Sequence, residues 1–199
     1  MKRATFLFIA LISFFVTMRA QEAVQYFNAG NPIEFMGQKY FFVWSSRPYE
    51  FYMLQEYLPA GQEFETYKDM FTVSVMFYGD APFSAAKSLE MKVSELEERK
   101  KTDPMCSYVV SEVDGVKVLD FTVSDADDRN VKPNCLEIDV HYYKDVEFNG
   151  VKASLLLYYS HRSYSKNIKK SFKEFPKQCE DWNKQIVTLG IMPQFKFKN

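Results

Sequence analysis

Apolar and polar residues alternate with period two through the two stretches that flank Asn149-Gly150. Asn-Gly is the dipeptide best suited to the positive φ angles of a two-residue type I′ loop. With Phe148 set opposite Val151, one face reads Ile138/His161, Val140/Tyr159, Tyr142/Leu157 and Val146/Ala153. The other reads Glu137/Arg162, Asp139/Ser160, His141/Tyr158 and Glu147/Lys152. The first face is apolar, and the second carries two opposite-charge pairs. A slip of one residue destroys both patterns. The pattern predicts a hairpin over 136–162, at the centre of an antiparallel sheet with one buried face.

A second hairpin is expected over 106–124, turning at Asp114-Gly115. Val113 opposite Val116 sets Glu112 against Lys117, Val110 against Leu119 and Tyr108 against Phe121. The four strands of 106–162 then form a meander. Upstream, 33–36 and 38–45 read as short strands around Gly37, with a turn at Ser45-Ser46-Arg47-Pro48. A long strand over 49–58 is stopped by Pro59-Ala60-Gly61, and 65–70 reads as a short helix or turn. In 71–78, Phe71, Val73, Val75 and Phe77 face one way.

Two stretches carry helical periodicity. Over 82–101, Phe83, Ala86, Leu89, Val93 and Leu96 make one apolar stripe, with Asp80 as cap and Pro82 in the first turn. Over 166–189, Ile168, Phe172, Phe175, Cys179, Trp182, Ile186 and Leu189 make another. Pro176 lies inside it, where proline costs ~3 kcal/mol, so a kink or restart is expected there. Gly190 is a stop, and 192–199 reads as a tail that forms an edge strand through Phe195 and Phe197. The fold class is α+β: an antiparallel sheet (the meander 106–162 plus N-terminal strands) whose apolar face is covered by two main amphipathic helices.

Composition adds a compartment. Lys2 and Arg3 precede an uncharged, largely apolar run, 4–17, and Ala20 is a small residue at a cleavage position. This reads as a signal peptide over 1–20, too short to span a bilayer, followed by a single α+β domain over 21–199. The protein is expected to be periplasmic or secreted, and not membrane-spanning once the signal is removed. Loss of Lys2, Arg3 and Arg19 takes the net charge from −1 to about −4, which disfavours nucleic acid as a partner. Export permits a disulfide among Cys106, Cys135 and Cys179. Cys179 falls on a helix stripe as a buried thiol, leaving Cys106 and Cys135 as the candidate pair. They lie two strands apart, ~10 Å between strand axes, so a bridge requires the loop before Cys135 to fold back.

Familiar chemistry is missing from the sequence. His141 and His161 have opposite parity and point to opposite faces, so they cannot share a metal. There is no C-x-x-C, H-E-x-x-H, G-x-S-x-G or glycine-rich phosphate loop. In the acidic run 124–130, Arg129 takes a ligand position of a calcium loop and Asn130 replaces its turn glycine, so a solvated turn is expected. No catalytic residue, metal ligand or cofactor is assigned.

Glu56-Tyr57-Leu58-Pro59-Ala60-Gly61-Gln62, followed by Tyr67 and then Thr72-Val73, resembles a stretch of small exported bacterial proteins of unknown function. In that group an E-Y-x-P-x-G-Q/E run precedes a Trp and a strand opening with Thr-Val; here Tyr67 stands in place of the Trp. The element order is similar to the Mog1/PsbP-like α-β-α sandwich, a likeness of topology that carries no function. Read physically, Pro59 and Gly61 turn a strand into a corner.

Aromatic residues crowd the segment before it: Tyr40, Phe41, Phe42, Trp44, Tyr49, Phe51 and Tyr52. Tyr52, Tyr57, Pro59, Gly61, Gln62 and Tyr67 are therefore the candidate ligand- or partner-binding residues. The lysines of the last helix (Lys166, Lys169, Lys170, Lys173, Lys177 and Lys184) are a solvated face or a docking face for an anionic headgroup, glycan or acidic protein. The expected function is a non-catalytic binding or scaffolding domain of the bacterial envelope, with an envelope protein, glycan or lipid as partner. The alternative is a carrier holding an apolar small molecule or lipid in a cavity between sheet and helices.

Overall fold

The two hairpins form in the registers read from the pattern. Phe148 pairs with Val151 and Glu137 with Arg162, and Val113 pairs with Val116 and Glu112 with Lys117. Asn149 and Gly150 turn the first hairpin with φ of 50° and 81°; Asp114 and Gly115 turn the second with 51° and 77°. The computed structural model describes residues 23–195. The expected signal peptide and Phe197 lie outside the described residues.

The elements run β1 (Ile33–Phe35), β2 (Gln38–Tyr49), β3 (Tyr52–Pro59), β4 (Asp69–Phe77), α1 (Ala85–Arg99), β5 (Ser107–Val113), β6 (Val116–Ser124), β7 (Cys135–Phe148), β8 (Val151–Tyr164) and α2 (Ile168–Thr188). All eight strands form one antiparallel sheet in the order β1-β2-β3-β4-β8-β7-β6-β5. It is two meanders of four strands joined by α1, with β4 against β8 at the seam from Asp69↔His161 to Phe77↔Ala153. The fold is α+β.

The two helices do not share a face, which corrects the expectation of one covered apolar side. From α2, Ile168, Phe175, Cys179 and Ile186 pack on Ile138, Val140, Leu155 and Leu157. From α1, Ala85, Leu89 and Leu96 pack on Leu119, Phe121 and Tyr143. In β7, residue parity separates these sets, so α1 lies over the face that carries Glu137, Asp139 and His141. The cause is visible in the neighbouring strand. Phe121 and Leu119 stand beside Asp139 and His141 on that face, and with Tyr143 and Leu156 they give α1 an apolar strip to bury. The central sheet is covered on both faces, and Asp139 is only 3% exposed.

Smaller expectations are also settled by the structure. The second strand does not turn at Ser45–Pro48; β2 runs on to Tyr49. Pro48 is accommodated because the ladder to β3 breaks register between Ser46 and Tyr49, where no N–H is required of it. Of the two readings of 65–70 the turn holds, over residues 64–66, and β4 begins at Asp69. Helix α1 starts later than 82, with Ser84 as its cap: Ser84 Oγ accepts from Lys87 N at 3.1 Å. Helix α2 runs without a restart through Pro176, which is exposed. All three cysteines are free, so Cys106 and Cys135 do not pair. The tail adds one bridge, Asn28 to Gln194, in place of an edge strand over its described part.

Candidate functional site

Helix α1 is pinned to the sheet at both ends. At its start, Ala85 N donates to Asp145 Oδ1 at 2.7 Å, and Tyr78 Oη donates to the same oxygen at 3.0 Å. Beyond its end, Asp103 accepts from Ser124 N at 2.6 Å and from Ser124 Oγ at 2.7 Å. Arg99 pairs with Asp103 at 3.3 Å. Between these anchors a cleft of about 570 Å³ opens between α1 and the sheet. Met76, Phe83, Met91, Phe121 and Leu156 supply its apolar wall. Glu137, Asp139, His141, Tyr158, Ser160 and Arg162 supply a polar floor.

The floor follows from strand register. Alternate residues of β7 and β8 face α1, pairing Glu137 with Arg162, Asp139 with Ser160 and His141 with Tyr158. The row continues across the seam: Tyr158 pairs with Thr72, and Thr72 with Glu56. At one end Glu137 Oε2 accepts from Tyr67 Oη at 2.7 Å and is also paired with the Arg162 guanidinium. Arg162 lies 3.9 Å over the Tyr67 ring. Burial opposes the charge of Arg162, but Glu137 outweighs it and holds the guanidinium above its usual range.

Further in, Asp139 accepts a hydrogen bond from Ser160 Oγ. Burial and then the charge of Glu137 push the Asp139 carboxyl well above the usual carboxylate range, and Ser160, Lys92 and Arg162 recover only part of this. Burial, then Glu137, also push the Glu56 carboxyl up to about 7. His141 is 7% exposed, with Nδ1 3.1 Å from Tyr143 Oη. Burial, with Lys92 adding to it, drives its imidazole well below the usual value, so it is neutral. Burial likewise keeps Tyr158 a neutral phenol.

The sequence-derived candidates divide between this cleft and other places. Tyr52 and Tyr67 line it. Tyr57 lies on the opposite face, fully buried, where its hydroxyl accepts from Gln55 Nε2 at 2.8 Å. Pro59 is buried at the end of β3. Gly61 is exposed, with φ of 81°, at the corner after it. Gln62 closes that corner, its Oε1 accepting from Lys68 N at 2.6 Å and Asp69 N at 3.1 Å. The floor residues Glu137, Asp139, His141, Tyr158 and Arg162 were missed because their alternation was read as a solvated face. The signal that contradicts that reading is the large rings on it: Tyr143 and Tyr158 are too apolar for a surface that water alone covers.

On the other face His161 Nδ1 lies 2.8 Å from Asp69 Oδ1, which also accepts from Tyr159 Oη at 2.6 Å. Burial opposes ionisation of Asp69, but the hydrogen bonds from His161 and Tyr159 outweigh it and keep the carboxyl low. In the acidic turn Asp125 Oδ1 accepts from Asn134 N and Cys135 N at 2.8 and 3.0 Å, so it serves the loop. Among the described residues no group of three or more His, Cys, Asp or Glu could hold a metal. None of their helices is long and apolar enough to cross a membrane.

A family model matches residues 27–191, and the chain belongs to that family, which is uncharacterised. No curated protein and no solved structure matches the chain.

Proposed function

We propose that the protein is an exported, non-catalytic binding domain of the bacterial envelope, periplasmic or secreted, whose ligand is a small molecule with an apolar body. The observation that carries this reading is the cleft under α1. Its volume of about 570 Å³ falls in the range of small-molecule sites, and its apolar wall stands over a polar floor that can orient a ligand. Anchors at both ends of α1 keep the space open between them. The Glu56–Gln62 run supports placing the family among the small exported bacterial proteins. Helices on opposite faces of one sheet support a likeness to the Mog1/PsbP-like sandwich.

Titration with an uncharged naphthalene fluorophore tests the reading. One saturable site is expected in the native protein, and Ser88→Trp, which fills the cleft from α1, should abolish it. Equal binding by Ser88→Trp would contradict the assignment of the cleft.

A scaffolding role has one observation of its own. Tyr49 and Phe51 stack at the tip between β2 and β3, with centroids 5.4 Å apart and planes within 7°. Both are exposed. Such a rigid aromatic pair suits contact with a protein or glycan partner.

A further inference from the structure

One acid in the cleft, Asp139, has no ion pair among the described residues. Each cation along the cleft already has an acidic partner. Lys92 pairs with Glu95 at 3.1 Å, Arg99 with Asp103 at 3.3 Å, and Arg162 with Glu137. Asp139 has no such partner. It is 3% exposed and lines the cleft, and the only hydrogen bond to its carboxyl among the described residues comes from the neutral Ser160 hydroxyl. A buried acid without a cation is costly to ionise, and a ligand that brings the cation removes that cost.

The surroundings suit one class of cation. Neutral rings flank Asp139: Tyr158 and His141 pair across the next position, and Tyr143 follows. The face of an aromatic ring attracts an ammonium group, most strongly where water is excluded. From Asp139 to Tyr143 the strand advances about 13 Å. Along that length Leu156, Met76 and Phe83 offer an apolar track. An inorganic cation would leave this track unused.

We propose that the cleft takes an organic cation, an amine or quaternary ammonium with an alkyl or aryl tail, its head seated on Asp139 among the neighbouring rings. The inference rests on the reading of the cleft as a small-molecule site. It adds the sign of the ligand's charge, which excludes fatty acids and other anionic amphipaths as the preferred occupants.

Calorimetric titration of the purified protein at pH 8 with octylammonium, octanol and octanoate separates the two claims. Octylammonium should bind at least tenfold more tightly than octanol, and octanoate least tightly. Asp139→Asn should cost octylammonium at least tenfold and leave octanol unchanged. The order of the three probes on the native protein carries the test where Asp139→Asn does not fold. Equal binding of the three probes would leave the cleft intact and overturn the cationic head. Tighter binding of octanoate would overturn it too. Binding of none of them would overturn the cleft reading and the inference together.

Discussion

The hydroxyl of Tyr67 donates a 2.7 Å hydrogen bond to Glu137, although 70 residues separate them. The bond ties the corner after β3 to the start of β7 and closes one end of the cleft. Tyr67 is 3% exposed, so its ring is held by packing as well as by that bond. Tyr67→Phe keeps the ring and should cost about 1–2 kcal/mol, the scale of a hydrogen bond to a charged group. Arg162→Gln should cost more, roughly 2–3 kcal/mol, because it leaves Glu137 without its cation in a partly buried place. Denaturant midpoints of the two variants check the order.

Glu56 makes stability fall as pH rises. Its carboxyl titrates near the ordinary 4.5 when unfolded and is pushed up to about 7 when folded. Below 4.5 both states are protonated and nothing is lost. Between 4.5 and 7 the unfolded chain ionises first, so folding stability drops, and above 7 the loss is complete. The total is on the order of 3 kcal/mol. Glu56→Gln should therefore stabilise the protein at pH 8 and leave it unchanged at pH 4. Part of the slope should survive in the variant, since Asp139 is shifted in the same direction. Urea melts at the two pH values read both effects.

Pro176 stands inside α2 with no N–H to offer. The helix continues because Phe175 and Cys179 on its buried side hold it to the sheet. Pro176→Ala restores the missing donor on an exposed surface and should stabilise the protein by about 1–3 kcal/mol. A raised midpoint in thermal melting is the expected result.

The thiols should be present, unpaired and slow. Burial pushes Cys106 and Cys135 up to about 11 and Cys179 higher still. Thiolate is therefore scarce at neutral pH. Labelling should yield three thiols after denaturation and far slower reaction before it, and reduction should leave the mass unchanged.

The hairpins were legible because Asn149-Gly150 and Asp114-Gly115 fix both turn and register, and cross-strand charges agree with them. Local sequence carries that information. The placement of α1 was not legible, because an amphipathic stripe states that a face is buried and not which sheet face receives it. The same gap hid the site. Glu137, Asp139 and Arg162 alternate with apolar residues as a solvated face would, and only the arrival of α1 turns that alternation into the floor of a cleft. Tyr52 and Tyr67 stand out in the sequence as aromatic residues near a corner, whereas Tyr57, of the same type in the same run, points into the core on the other face. Parity within β3 separates Tyr52 from Tyr57, and that parity has meaning only once both faces are known to be covered.

The central claim is that a small molecule occupies the space under α1. A native mass spectrum of the protein purified from an oxidising compartment tests it most directly, with Ser88→Trp beside it. The expected result is added mass of a few hundred daltons at most, lost on denaturation and absent from Ser88→Trp. An identical adduct on both proteins would place the ligand elsewhere and contradict the claim.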